Sequence, residues 1–312
     1  MPRVLVTGGA GFIGATLVPD LLAEGYTVVV VDNFSRGHRE LLPVHERLDV
    51  HACDIRDTAA MTSFLAGCDA MVHLAAYGSV VESVVAPGEN FSINVGGTFS
   101  ILQAAQAAKV KKVILASTGG ALIGNAVPPV DERSVPRPIS PYGASKLAGE
   151  GYGCAFAHSY CMDITALRFA NVIGPHSLHK KGAVANFFKA IIDGRPIIIF
   201  GDGSSTRDYI YVKDLSQGIR RGLMAAISGF NVFHLASGRE VSARELAELC
   251  IKVSGKAEHP LKFESKRDGE VDRNSASPLV ASLELGFVPE HSIEQGLALT
   301  WEWFSSNYTE AA

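Results

Sequence analysis

The sequence predicts an α/β fold, a doubly wound parallel sheet followed by a smaller C-terminal lobe. Three observations carry this. Short apolar, β-branched runs alternate with helix-period segments over the first two thirds of the chain. A glycine-rich turn, Gly8 to Gly14, joins the first such run to the first helix. Beyond residue 170 the alternation breaks, at Gly174-Pro175-His176 and in polar, Gly-containing stretches at 201–208 and 266–274.

Taken in order, runs at 4–7, 27–31, 48–53, 70–74, 113–116 and 164–169 read as strands, with helical segments up to 22, at 58–65 and at 97–108 between them. Apolar strands separated by helices form βαβ units, and their right-handed crossovers cover both faces of a parallel sheet. The first unit spans residues 1–170 and is rejoined by about 209–238. Residues 171–312 form mainly the lobe, with amphipathic helices at 242–254 and 292–304.

Composition excludes several classes. The 312 residues are 47% hydrophobic and 19% charged, which is globular. A net charge of −4 offers no field for nucleic acid. No apolar run reaches the ~20 residues that span a bilayer. The chain enters a strand at once, without a signal-peptide pattern. The five cysteines are odd in number and lack CxxC spacing. They read as reduced thiols, and the expected location is cytoplasmic. His176 and His179 lack metal-ligand spacing, so no metal is expected.

Gly8, Gly11 and Gly14, with Phe12 and Ile13 between them, form GxxGxxG after a strand and at a helix start. Such a turn lets the backbone approach a pyrophosphate, and the helix N-terminus supplies N–H groups and partial positive charge. This defines a Rossmann-type dinucleotide site. Asp32 ends the second strand, where a carboxylate accepts from a ribose 2′-OH and repels a 2′-phosphate. The expected cofactor is therefore NAD, with Asn33 assisting. Asp54-Ile55, Leu74-Ala75-Ala76 and Phe169 also lie at carboxyl ends of strands, where such folds bind ligands. Asp54 has two readings, a partner of the adenine amino group or a cap of the next helix. Asn94 likewise lies under the cofactor or serves a cap or turn.

Tyr142-Gly143-Ala144-Ser145-Lys146 places Tyr142 and Lys146 on one helix face, at i and i+4. A tyrosine with its reference pKa of ~10 is a poor base near neutral pH. A neighbouring ammonium and a positive nicotinamide both favour the phenolate, making Tyr142 usable as a general base.

Together TGGAGFIG, HLAA, PYGASK, LRFANVIGP and GDGSSTRDYIYVKDL resemble the extended short-chain dehydrogenase/reductase family. Within it the chain is most similar to the nucleotide-sugar epimerase/dehydratase group, especially the UDP-glucose 4-epimerases. The resemblance implies that Tyr142 moves the proton of the sugar hydroxyl and that Lys146 bonds the nicotinamide ribose. It implies that a Ser or Thr of the 117–124 segment bonds the same hydroxyl. Many relatives carry that residue where this chain has Gly119, and Tyr where it has Ile123. Thr118 is therefore the expected donor, with Ser117 as substitute. The 4,6-dehydratases carry an Asp-Glu pair where this chain has Gly120 and Ala121. That leaves oxidation and re-reduction at C4 of a UDP-sugar. Asn171, Arg207 and Arg267 are implied to hold the nucleotide diphosphate, and Asn274 to govern room at C2. The family commonly forms homodimers through helices that include the Tyr/Lys helix. Alternatives are a UDP-N-acetylhexosamine or UDP-uronic acid 4-epimerase, a nucleotide-4-ketosugar reductase, or a non-catalytic dinucleotide sensor.

Overall fold

The computed structural model describes residues 1–266 and 271–308. Six strands, β1 (Arg3–Thr7), β2 (Thr27–Asp32), β3 (Leu48–Ala52), β4 (Ala70–His73), β5 (Lys112–Thr118) and β6 (Asp163–Phe169), join Phe230–Leu235 in one sheet. The order is β3-β2-β1-β4-β5-β6, with Phe230–Leu235 outside β6, and every pair is parallel. The direction of winding reverses between β1 and β4, so a crevice opens beyond their carboxyl ends. Val4, Leu5 and Val6 in β1 and Val28 to Val31 in β2 are fully buried, because helices cover both faces. On one face Leu17 and Leu21 of helix Gly14–Ala23 meet Leu215 and Ile219 of helix Val212–Met224. On the other, Met61, Ile101 and Phe156 come from Thr58–Leu65, Gly97–Ala107 and Pro141–Tyr160.

The seventh strand escaped the sequence reading of apolar runs. Asn231 and His234 interrupt Phe230–Leu235, yet it pairs with β6 over its whole length. The helix expected at 97–108 starts earlier, at Pro87, and passes through a π-helical turn, Phe91–Gly96.

A second core is built by Phe188, Leu246, Leu297 and Phe304, from helices Ala183–Ile192, Ala243–Ser254 and Ile293–Asn307. The last two start at serine caps: Ser242 accepts from Glu245 N, and Ser292 forms a reciprocal capping box with Gln295. Phe12 belongs to this second core, so the glycine turn touches both bodies. Among the described residues no helix is long and apolar enough to cross a membrane.

Candidate active site

Gly8 turns the chain at the end of β1 with φ +67°. A Cβ there would lie 2.7 Å from Ala75 N and 2.8 Å from Ala75 Cα. Only glycine lets the ends of β1 and β4 pass this closely. At Gly14 a Cβ would lie 2.3 Å from Gly9 O, so the helix can start flush against the turn. No side chain caps this helix at Ile13. Ala15 N donates to Gly11 O and Thr16 N to Ile13 O, so an anion would meet the turn ahead of them and the positive end of the helix dipole.

A cavity of about 540 Å³ follows the carboxyl ends of the strands. It is lined by Gly8, Gly11, Phe12 and Ile13 of the turn, by Asp32, Asn33, Asp54 and Ile55, by Leu74, Ala75 and Ala76, and by Phe169. Tyr142, Lys146, Ser117 and Asn171 close the other end. Gly14 packs directly behind the turn.

Asp32 is 8% exposed and accepts from Ala10 N (3.1 Å) and Phe34 N (2.9 Å). Burial raises its pKa, and the two backbone N–H groups offset this only in part. Asn33 Oδ1 accepts from Ser35 N and Oγ. Asp54 does not cap the next helix. That position belongs to Asp57, whose side chain accepts from Ala60 N. Asp54 instead grips Arg56, with Nε at 2.9 Å and Nη2 at 2.6 Å, and this holds its carboxyl below the usual range.

Asn94 does not line the cavity. It is buried in the π-helical turn, where Oδ1 accepts from Tyr77 N (2.7 Å) and Nδ2 donates to Tyr77 O and Ser145 Oγ. It thus ties the loop after β4 to the Tyr142/Lys146 helix. Sequence reasoning missed His73, which links Thr7 Oγ1 (2.7 Å) to Thr98 Oγ1 (3.1 Å). Burial, with Lys146 nearby, drives its pKa down to about 3.

The Pro141–Tyr160 helix starts at Ser140, which accepts from Gly143 N, with Pro141 in the first helical position. A Cβ at Gly143 would lie 2.0 Å from Ala121 O, so this glycine lets the helix press against the 119–124 segment. Lys146 Nζ donates to Ala116 O (2.9 Å) and lies 6.0 Å from the Tyr142 ring centroid. Burial lowers Lys146 to about 8, against an upward pull from Glu150, and raises Tyr142 to about 12. In the protein alone, desolvation therefore sets the direction of the shift at Tyr142.

Ser117 and Thr118 part company. Ser117 faces the helix and donates to Glu150 Oε1 (2.6 Å). Glu150 in turn accepts from Arg168 Nε (2.9 Å) and Nη2 (2.8 Å), a buried ion pair absent from the sequence reading. Thr118, one residue on in a strand, points to the opposite face. It does not line the cavity. The glycines beside it are filled from outside. A Cβ at Gly119 would meet His234 Nδ1 at 3.1 Å, and one at Gly120 would meet Asn274 Cγ at 2.9 Å. The departure from the common family pattern at Gly119 thus has a steric reason. His234 is fully buried, neither ring nitrogen has a partner among the described residues, and burial lowers its pKa to about 4.

On the lobe side, Asn171 Nδ2 donates to Asp208 O (3.0 Å). The Asp208 carboxylate is occupied by Ser237, Gly238 and Ala276 and leaves Arg207 alone. Arg207 Nη1 donates to Thr206 O (2.8 Å), and the residue does not line the cavity. Asn274 is buried against Gly120. Arg267 lies outside the described residues.

An N–H-rich turn, an acidic side chain at the end of β2 and the apolar Ile55 in one elongated cavity suit a dinucleotide with a free ribose 2′-OH. With the Tyr/Lys pair at its far end, this is the site of a nicotinamide-dependent member of the extended short-chain dehydrogenase/reductases. The comparisons agree. A sequence model of the NAD dependent epimerase/dehydratase family matches residues 4–233. The UDP-glucose 4-epimerase of Mycolicibacterium smegmatis is 39% identical, covering 97% of this chain and 98% of its own. The structure of a UDP-glucose 4-epimerase with UDP-glucose from Thermotoga maritima aligns with a TM-score of 0.92 at 36% identity, covering 97% and 99%. A UDP-N-acetylglucosamine 4-epimerase from Methanobrevibacter ruminantium, in complex with UDP-N-acetylmuramic acid, aligns with 0.93 at 32%, covering 98% and 99%. The chain belongs to the NAD-dependent epimerase/dehydratase family, and its cofactor is NAD.

Proposed function

We propose that the protein inverts C4 of a UDP-sugar of the UDP-glucose/UDP-galactose type through a transient 4-keto sugar. The observation that carries this is the pairing of Tyr142 and Lys146 in the cavity with Gly120 and Ala121 beside them. A proton-transfer residue exists for the C4 hydroxyl, and the neighbouring segment offers none for eliminating water across C5 and C6. When bound, NAD would supply the hydride acceptor and donor for C4. Gly8, Gly11, Phe12, Ile13 and Gly14 cradle its pyrophosphate, Asp32 and Asn33 hold the adenosine ribose, and Asp54 and Ile55 flank the adenine.

Tyr142 removes the C4 hydroxyl proton and later gives it back. Burial raises its pKa in the protein alone, and positive charge near the ring would favour the phenolate. Lys146, fixed by Ala116 O, holds the nicotinamide ribose and adds to that charge. Of the two hydroxyls expected to meet the C4 hydroxyl, Ser117 lines the cavity, held by Glu150, and Thr118, on the opposite face of the strand, does not line it. Asn171, Arg207 and Arg267 anchor the diphosphate from the lobe formed mainly by residues 171–312. The sugar is left free to turn over, so binding energy is placed away from the reacting carbon.

A second reading, an N-acetylhexosamine substrate, is favoured by the likeness to the Methanobrevibacter enzyme. Incubation with UDP-hexoses, UDP-N-acetylhexosamines and UDP-uronic acids, followed by NMR for C4 inversion, separates the two. Net consumption of reduced nicotinamide would point instead to a 4-ketosugar reductase. Tyr142→Phe is expected to lose activity by at least a hundredfold while keeping its fold. Undiminished turnover would remove Tyr142 from this role and reopen the reading as a dinucleotide sensor. We also propose a homodimer. Val81, Val84, Val85 and Phe91, next to the Tyr/Lys helix, are 62%, 63%, 82% and 64% exposed, and a second copy would cover them.

A further inference from the structure

The loop between Ile173 and the helix Ala183–Ile192 borders the cavity. Its start is shaped locally: Ser177 Oγ donates to Gly174 O (2.6 Å), and Lys180 N donates to Ser177 O (3.0 Å). Its end is fastened across the cavity, with Lys181 Nζ 2.9 Å from Glu82 Oε1. The other oxygen of Glu82 accepts from Arg36 Nη2 at 2.6 Å. Segments following β2, β4 and β6 therefore converge on one carboxylate.

Between these anchors Lys180 turns inward and lines the cavity. Its Nζ lies 5.0 Å from the centroid of the Phe12 ring. No acidic side chain of the described residues pairs with it, and desolvation pulls its pKa below the usual lysine range. Phe12 belongs to the glycine turn, whose helix N-terminus is itself positive. Lys180, itself without an ion-pair partner among the described residues, and the start of this helix thus face one space, an arrangement that an anion stabilises.

We propose that Lys180 is a diphosphate-binding residue, which closes from the lobe side the anion site that the glycine turn opens. The cofactor pyrophosphate and the diphosphate of a nucleotide sugar share this chemistry, and contact with Phe12 favours the cofactor. The inference rests on a dinucleotide in the crevice and not on the identity of the sugar.

The test compares Lys180→Met and Lys180→Arg with the unaltered full chain. Calorimetry reads NAD binding to protein freed of nucleotide, and UDP binding to the NAD-loaded protein. Lys180→Met is expected to weaken NAD roughly ten- to a hundredfold, with Lys180→Arg recovering most of the loss and UDP unaffected. A loss confined to UDP assigns the clamp to the substrate diphosphate. Unaltered affinity for both ligands in Lys180→Met overturns the proposal. Should UDP fail to bind the unaltered protein, the nucleotide-sugar reading fails while the NAD arm still decides Lys180. Thermal unfolding and circular dichroism confirm that both variants fold.

Discussion

Removing Glu150 tests the buried network behind the site. The Glu150 and Arg168 side chains are only 6% and 5% exposed, and Glu150 accepts three bonds, two from Arg168 and one from Ser117. Arg168 Nη1 already lacks a partner among the described residues. Glu150→Ala therefore leaves a guanidinium buried without its only carboxylate among the described residues. Breaking such a pair from one side costs about 3–5 kcal/mol. Replacing both partners in the double variant Glu150→Leu, Arg168→Met leaves no stranded charge and should cost less than Glu150→Ala alone. Urea unfolding of Glu150→Leu, of Arg168→Met and of the double variant closes the cycle. A chemical readout accompanies it. Glu150 raises the pKa of Lys146, so its loss takes Lys146 further below about 8, and the alkaline limb of kcat/KM moves to lower pH. A Glu150→Ala variant within about 1 kcal/mol of the parent, or single effects that simply add, would refute the reasoning.

Further outcomes follow from single sites. Gly8→Ala forces a Cβ to within 2.8 Å of the Ala75 backbone at φ +67°, so NAD should no longer copurify and unfolding should begin several degrees lower; normal NAD content would show that the turn gives way easily. His73 and His234 have folded pKa values near 3 and 4, below the unfolded value near 6.5, so their contribution is present above pH 6.5 and is lost as pH falls toward 4. Each should remove about 2 kcal/mol between pH 7 and pH 5, and urea midpoints of the parent and of His73→Asn check this through a shallower pH dependence in the variant. Phe91→Asp places a charge in the exposed apolar patch and should shift the mass seen by light scattering from dimer to monomer. A parent that is itself monomeric would dispose of the dimer.

Much of the site was legible from local chemistry. Gly8, Gly14, Asp32 and the Tyr142/Lys146 spacing act through backbone geometry or one helical turn, which neighbours in sequence reveal. The alternation of strands and helices gave the parallel sheet for the same reason. Harder to see were residues whose partners lie far along the chain. Phe230–Leu235 is a strand because β6 needs a neighbour, although its own pattern is broken by Asn231 and His234. Asn94 reads in sequence either as a cofactor contact or as a cap or turn residue, and its bonds to Tyr77 and Ser145 come from far along the chain.

The sequence by itself determined the fold class and the NAD-binding family, and set Tyr142 and Lys146 one helical turn apart, because each depends on fixed local spacing. Only the tertiary structure decided which hydroxyl of Ser117-Thr118 is engaged by Glu150, which side chains crowd Gly119 and Gly120, and where Lys180 points. These depend on Arg168, His234, Asn274 and Phe12, brought together by packing across the sheet and between its two flanking bodies, and no local pattern encodes that approach.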